Sequence, residues 1–202
     1  MRRPFPAALR LAMLLGLAQC LAAQPAAGKF LVAARGLTDP NFERSVVLLV
    51  QHGEGGSWGL VVNRPTGVPL SKLFAGEPLL EKQEGILFAG GPVGAGRFLL
   101  LLRARRPPEE SQRVFADVYL GWTPGALREA NGISDCRVYS GYAGWAPGQL
   151  EAEIARGDWH LLPAEAPLVF EQRPERVWED LARRTETPVA AGGESRPPKE
   201  AL

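Results

Sequence analysis

Apolar residues in this chain fall into short runs separated by glycine and proline, and the runs change period several times. Ser45-Val46-Val47-Leu48-Leu49-Val50-Gln51-His52 is a continuous, β-branched stretch, which predicts a strand covered on both faces. Gly53-Glu54-Gly55-Gly56-Ser57 then turns the chain. Trp58-Gly59-Leu60-Val61-Val62-Asn63-Arg64 returns as a second strand closed by Pro65, so the pair reads as a hairpin. Upstream, residues 30–34 read as a strand. Asp39-Pro40-Asn41-Phe42-Glu43-Arg44 reads as a single helical turn, with aspartate as N-cap and proline at the first helical position.

Downstream the elements stay short. Val68-Pro69-Leu70-Ser71-Lys72-Leu73-Phe74 places Leu70, Leu73 and Phe74 on one helical face. Residues 85–89 and 98–102 are strands flanking a Gly90-Gly91-Pro92-Val93 turn, and residues 114–120 form another strand. Thr123-Pro124 opens a brief helix through Ala130 that Gly132 stops, and residues 137–142 return to a strand. Pro147 begins a helix with Leu150, Ile154 and Trp159 on its buried side. Leu168-Val169-Phe170 reads as a last short strand, and Pro174 starts a helix on which Val177, Trp178 and Leu181 share a face.

Composition bounds this picture. At 202 residues, 46% apolar and 22% charged, the chain suits one globular domain. Its 23 glycines and 18 prolines exceed ordinary usage and favour turns over long helices. Residues 1–23 have the three parts of an export signal: Arg2-Arg3, an apolar core from Leu11 to Ala18, and the small residues Ala22-Ala23 before Gln24-Pro25. That stretch is too short to span a bilayer. The expected organisation is a signal peptide over 1–23, a linker over 24–28, one domain over 29–184 and a disordered tail over 185–202. Lipidation at Cys20 and a misplaced start codon are the alternatives to cleavage, and a cytoplasmic chain is the alternative to an exported, periplasmic one. Cleavage would remove Cys20 and leave Cys136 as a lone thiol, either half-buried in a strand or reactive beside Arg137.

The full chain carries net charge +1; without Arg2, Arg3 and Arg10 it falls to −2. Phosphate binding needs a basic surface, and the sequence offers no global one. Arg103, Arg105 and Arg106 are a local cluster that reads as a patch or as a solvated loop before Pro107-Pro108.

Three blocks in order resemble the YqgE/AlgH family. The first is Phe30-Leu31-Val32-Ala33-Ala34 with Asp39-Pro40-Asn41-Phe42-Glu43-Arg44-Ser45-Val46-Val47. The second is His52, then Gly59-Leu60-Val61-Val62-Asn63-Arg64-Pro65, then Gly90-Gly91-Pro92-Val93. The third is Gly141-Tyr142-Ala143-Gly144-Trp145, then Gly148-Gln149-Leu150-Glu151, Glu153-Ile154 and Trp159. The resemblance implies an α+β fold: a small closed β-barrel within a branched, antiparallel-rich sheet, surrounded by short helices. It implies no biochemical activity, since none is established for the family. Some members are linked to transcriptional control of exopolysaccharide production and most are cytoplasmic. The export-like segment here departs from that pattern, as does a more basic stretch after Val93.

Candidate chemistry is sparse. Gly55-Gly56-Ser57-Trp58-Gly59 has the spelling of a nucleophile elbow, but a strand rather than a helix follows the serine. Only His52 and His160 could act as its base. No His or Cys pair has metal-ligand spacing, so no metal or cofactor is expected. Glu151 and Glu153, two apart on a helix, point in different directions. Tyr142 and Trp145, spaced by small residues, either line a shallow cleft with Gln149 and Glu151 at its edge or pack a strand-to-helix corner. His52, Asn63 and Arg64 either form a polar patch beside the hairpin or, in the case of Asn63, satisfy turn backbone. The sequence reads as a non-enzymatic binding or regulatory domain with no catalytic residue and an unidentified protein or small ligand as partner. The alternatives are an envelope hydrolase using His52 and, for a cytoplasmic chain, a transcription-associated regulator.

Overall fold

The β-branched runs are fully enclosed by the fold. A computed structural model describes residues 24–73, 85–122 and 133–186. In it Lys29–Ala33 forms β1 and Val46–Gly53 forms β2. Phe30 to Ala33 and Val46 to Val50 have no exposed surface, as expected of strands covered on both faces. The link between them is the expected helical turn: Asp39 Oδ1 accepts from Asn41 N at 2.7 Å, and the Asp39 carbonyl accepts from Phe42 N and Glu43 N.

Gly56–Val61 forms β3, which completes the hairpin with β2. Then come β4 (Pro65–Pro69), α1 (Leu70–Leu73), β5 (Ile86–Ala89), β6 (Val93–Ala104), β7 (Ser111–Phe115) and β8 (Val118–Gly121). After them follow β9 (Ile133–Trp145), α2 (Gln149–Ala155), β10 (Trp159–Pro163), α3 (Ala166–Phe170) and α4 (Pro174–Glu186). The strands make one sheet in the order β10-β1-β2-β3-β9-β6-β8-β7, with β4 and β5 branching from β9.

The branch lies within β9. One edge pairs with β6 along most of its length; the other pairs in parallel with β5 at residues 138–140, then antiparallel with β3 at residues 143–145. The change of partner falls at Gly141, whose φ is 72°. Backbone crosses backbone here: a Cβ on Gly141 would lie 2.6 Å from the Gly91 carbonyl oxygen, so only glycine fits. The sheet curls into a half-barrel. Its far strand comes round until Phe115 Cβ would sit 2.8 Å from a Cβ on Gly28, yet no ladder among the described residues joins β7 to β10. The α+β class with a branched, curled sheet and short helices is therefore the fold of this chain.

The main core lies between this sheet and the C-terminal helices. Val177, Trp178 and Leu181 of α4 are buried together, as their shared face predicts, and Trp178 Nε1 donates to the Ala33 carbonyl at 2.8 Å. A second cluster of Leu70, Leu87, Leu100, Leu102 and Val138 sits apart from it.

Several elements differ from the sequence reading. Leu168, Val169 and Phe170 are helical within α3, not a strand; Pro167 lies in the first turn, and the Leu168 and Val169 side chains are buried. The strand expected over residues 114–120 is divided into β7 and β8 at Ala116, whose φ is 42°. Trp159 belongs to β10, not to the preceding helix, because Gly157 at φ 84° ends α2 and lets the chain pair with β1. α4 runs through Thr185 and Glu186, the first residues of the expected tail. The helix expected at Thr123-Pro124, residues 1–23 and the rest of the tail lie outside the described residues. No helix among the described residues is long and apolar enough to cross a membrane.

Candidate functional site

Two adjacent rows of side chains cross the sheet at the tip of the β2–β3 hairpin, and strand alternation sends them to opposite faces. In one row His52 pairs with Ser57 and Ser57 with Trp145. In the next, Gln51 pairs with Trp58 and Trp58 with Gly144. Tyr142, two residues before Gly144, shares the second face, whereas Trp145 is on the first. The two aromatics singled out in the sequence therefore belong to different environments.

The first face is covered by α2. Ser57 Oγ lies 2.8 Å from His52 Nδ1, and His52 Nε2 is 3.6 Å from Glu151 Oε1. Ser57 is 6% exposed. Trp145 Nε1 and Trp159 Nε1 both donate to Glu153 Oε2, at 2.8 and 2.9 Å, while Gln149 Nε2 donates to Glu153 Oε1. Phe42 fills the angle between the two indoles, with ring centroids 5.8 and 5.6 Å away. Gln149 Oε1 accepts from Ala146 N, so both ends of its amide hold the start of α2. Glu151 and Glu153 diverge, as their spacing predicts. On this face the corner is packed and hydrogen-bonded.

Asn63 is committed to backbone. Its Oδ1 accepts from Val46 N at 2.8 Å and its Nδ2 donates to the Arg44 carbonyl at 2.9 Å. That clamp satisfies the strained entry to β2, where Arg44 has φ 52°. Arg64 donates to the Glu43 carbonyl; burial lowers its pKa, and the charges of Glu43 and Asp39 oppose the shift. The structure thus places Asn63 and Arg64 together at the β2 entry and His52 with Glu151 at the hairpin tip. Cys136 is partly buried in β9, and burial pushes its thiol from 9.0 up to about 12, which removes the thiolate a reactive cysteine needs. Arg103 donates to Asp117 and Glu171 and also lies near Asp135, so the arginine cluster is neutralised at its first member.

The second face holds a cavity of about 480 Å³. Trp58 and Tyr142 meet edge to face there, with centroids 5.7 Å apart. Gly144 opposite Trp58 leaves the room: a Cβ there would lie 3.4 Å from the Tyr142 ring. Trp122, at 46% exposure, and Val93, at 40%, complete the apolar wall, and Gln51 and Arg97 stand at its polar edge. Of the sequence candidates, Ser57, Tyr142 and Trp145 border the cavity. Trp58, Trp122, Arg97 and Gln51 were not legible as a group. The signal for Trp58 was its period-2 position opposite Gln51; nothing local marks the other two. Among the described residues no group of three or more His, Cys, Asp or Glu could hold a metal ion.

Comparison with known proteins places this architecture. The family model DUF179, described as AlgH-like, matches residues 30–190, and the chain belongs to that family. A UPF0301 protein of Streptomyces avermitilis is 39% identical over 81% of this chain and 88% of its own length. One from Streptomyces coelicolor is 40% identical over 78% and 85%. A crystal structure of a Corynebacterium diphtheriae protein superposes with TM-score 0.73 at 27% identity, covering 84% of this chain and 91% of that one. The solution structure of the AlgH protein from Pseudomonas aeruginosa gives TM-score 0.63 at 28% identity, covering 83% and 95%.

Proposed function

We propose that this protein is a non-catalytic binding domain that takes a small ligand in the Trp58–Tyr142–Trp122 cleft. The observation that carries this reading is the solvent-facing aromatic cavity of about 480 Å³. Its size falls in the range of small-molecule sites, and its walls are apolar with few polar groups. Trp122 at 46% exposure is a large apolar surface that folding left uncovered. The reading moves the site from the Tyr142/Trp145 corner to the opposite face: Tyr142 stays in it, while Gln149 and Trp145, which also borders the cavity, hold the scaffold. The ligand is met outside the cytoplasm, after removal of residues 1–23. Fragment screening by NMR on the full chain tests the reading. Hits that shift the Trp58 and Trp122 indole signals, and disappear in W122A, are expected. Hits confined to other surfaces would remove it.

A second reading, a hydrolase, is favoured by one observation: Ser57 Oγ, His52 and Glu151 lie in sequence at 2.8 and 3.6 Å. Three features weigh against it. The hydroxyl is nearly enclosed, the carboxylate is beyond hydrogen-bond length, and β3 continues where a nucleophile elbow needs a helix to aim its amides. Turnover of activated esters that S57A and H52A both abolish, with folding intact, would install this reading instead; no turnover is expected.

A further inference from the structure

The polar edge of the cleft offers hydrogen-bond donors to an incoming molecule and lacks a negative charge. Gln51 Oε1 already accepts from Trp58 Nε1 at 3.2 Å, which leaves the amide Nε2 as the available end. Arg97 is exposed and borders the cavity, and its side chain makes no hydrogen bond or ion pair with the described residues. None of the described residues lining the cavity is acidic. Arg97 is also held close to the rings by its own strand. The Gly94–Arg97 end of β6 folds against Tyr142, since a Cβ on Gly94 would lie 3.4 Å from Tyr142 Cε1 and 3.9 Å from Arg97 Cβ.

From this juxtaposition we infer that the cleft binds a flat aromatic or heteroaromatic ring bearing one anionic group, either carboxylate or phosphate. The ring lies among Trp58, Tyr142 and Trp122, and the anionic oxygens meet the Arg97 guanidinium, with the Gln51 amide as a second donor. The flat faces of two indoles and a phenol select a ring over an aliphatic chain. The guanidinium selects an anion and can grip two of its oxygens at once. This assignment rests on the cleft being a ligand site.

Calorimetric titration of the full chain with 2-naphthoate, phenyl phosphate, 2-naphthol and inorganic phosphate tests it. The two anionic aromatics are expected to bind saturably, and 2-naphthol and inorganic phosphate each about tenfold more weakly or worse. R97A, with an unchanged circular dichroism spectrum, is expected to raise the Kd of both acids about tenfold, the loss typical of one charge-assisted contact. R97K is expected to fall between. Binding of 2-naphthol as tight as that of 2-naphthoate, or an R97A variant with unaltered affinity, would overturn the anion assignment while leaving the cleft as a site. Tight inorganic phosphate binding independent of W122A would overturn the ring assignment. Absence of acid binding, with 2-naphthol still sensitive to W122A, would refute the inference alone.

Discussion

Glu153 shows how one side chain can decide what a neighbourhood does. Its carboxylate accepts from two indole N–H groups and one amide, and it joins β9, α2 and β10 at one point. Removing it strands two indole donors in a partly enclosed corner, and each unsatisfied donor costs about 1–3 kcal/mol. E153A is therefore expected to lose about 2–4 kcal/mol in urea denaturation, and E153Q less because one acceptor oxygen remains. E151A should change stability by well under about 1 kcal/mol, since its partner contact is exposed and long. Equal losses for the Glu153 and Glu151 variants would show that the corner is held by ring packing instead. The buried titratable groups in β9 make a separate prediction. Burial raises the Cys136 thiol to about 12 and, opposed by nearby Arg137, the Tyr139 hydroxyl to about 12. Both are protonated in the fold, while the unfolded chain releases their protons at about 9 and 10, so unfolding is favoured as pH rises through that window. Denaturation midpoints are expected to hold below pH 9 and decline between 9 and 12. A thiol reagent at pH 8 should label Cys136 far more slowly in the folded than in the urea-unfolded chain, because the partly buried thiol is held protonated; equal rates would contradict the raised pKa.

At the scale of elements, α4 depends on Trp178, which donates to the Ala33 carbonyl and lies beneath the Arg35 and Arg44 guanidinium groups at 5.3 and 4.6 Å. W178F keeps most of the apolar surface and loses the hydrogen bond, for an expected cost of about 1–2 kcal/mol. W178A opens a cavity beside β1 and is expected to cost about 3–5 kcal/mol. Thermal unfolding with both variants checks the order. Elements like α4 and the β2–β3 hairpin were readable because period and end signals agreed over enough residues. Residues 168–170 were not: three apolar residues carry no measurable period, and packing decided for helix. β10 escaped because its partner is β1, 130 residues earlier in register from Ala33 to Trp159 at the shortest and Lys29 to Pro163 at the longest, and no local pattern encodes such a pairing. The cleft escaped for the same reason. Its rings come from β3, β9 and the end of β8, and only the sheet's branching at Gly141 sets them beside Arg97.

At the scale of the whole molecule, charge decides between partners. The chain without residues 1–23 carries −2, and the most conspicuous basic cluster is tied down where Arg103 of β6 meets Asp117 in the β7–β8 turn, Asp135 of β9 and Glu171 just past α3. A protein that grips nucleic acid releases counterions from many phosphates, and its affinity falls steeply with salt. A surface whose arginines already face carboxylates has few counterions to exchange. Anisotropy titration of duplex DNA against the chain beginning at Gln24 is therefore expected to show no saturable binding near physiological salt. An R103A control should leave that result unchanged, since the guanidinium it removes is already engaged. Tight binding with a log–log salt slope of several units would mean that Arg97, Arg105 and Arg106 form a working phosphate surface. The cleft would then be the edge of a nucleic-acid interface, and the aromatic rings beside Arg97 would be platforms for unpaired bases. Competition settles which holds: an anionic aromatic that occupies the cleft would displace single-stranded DNA in that case, and would have nothing to displace if the site is for a small ligand alone.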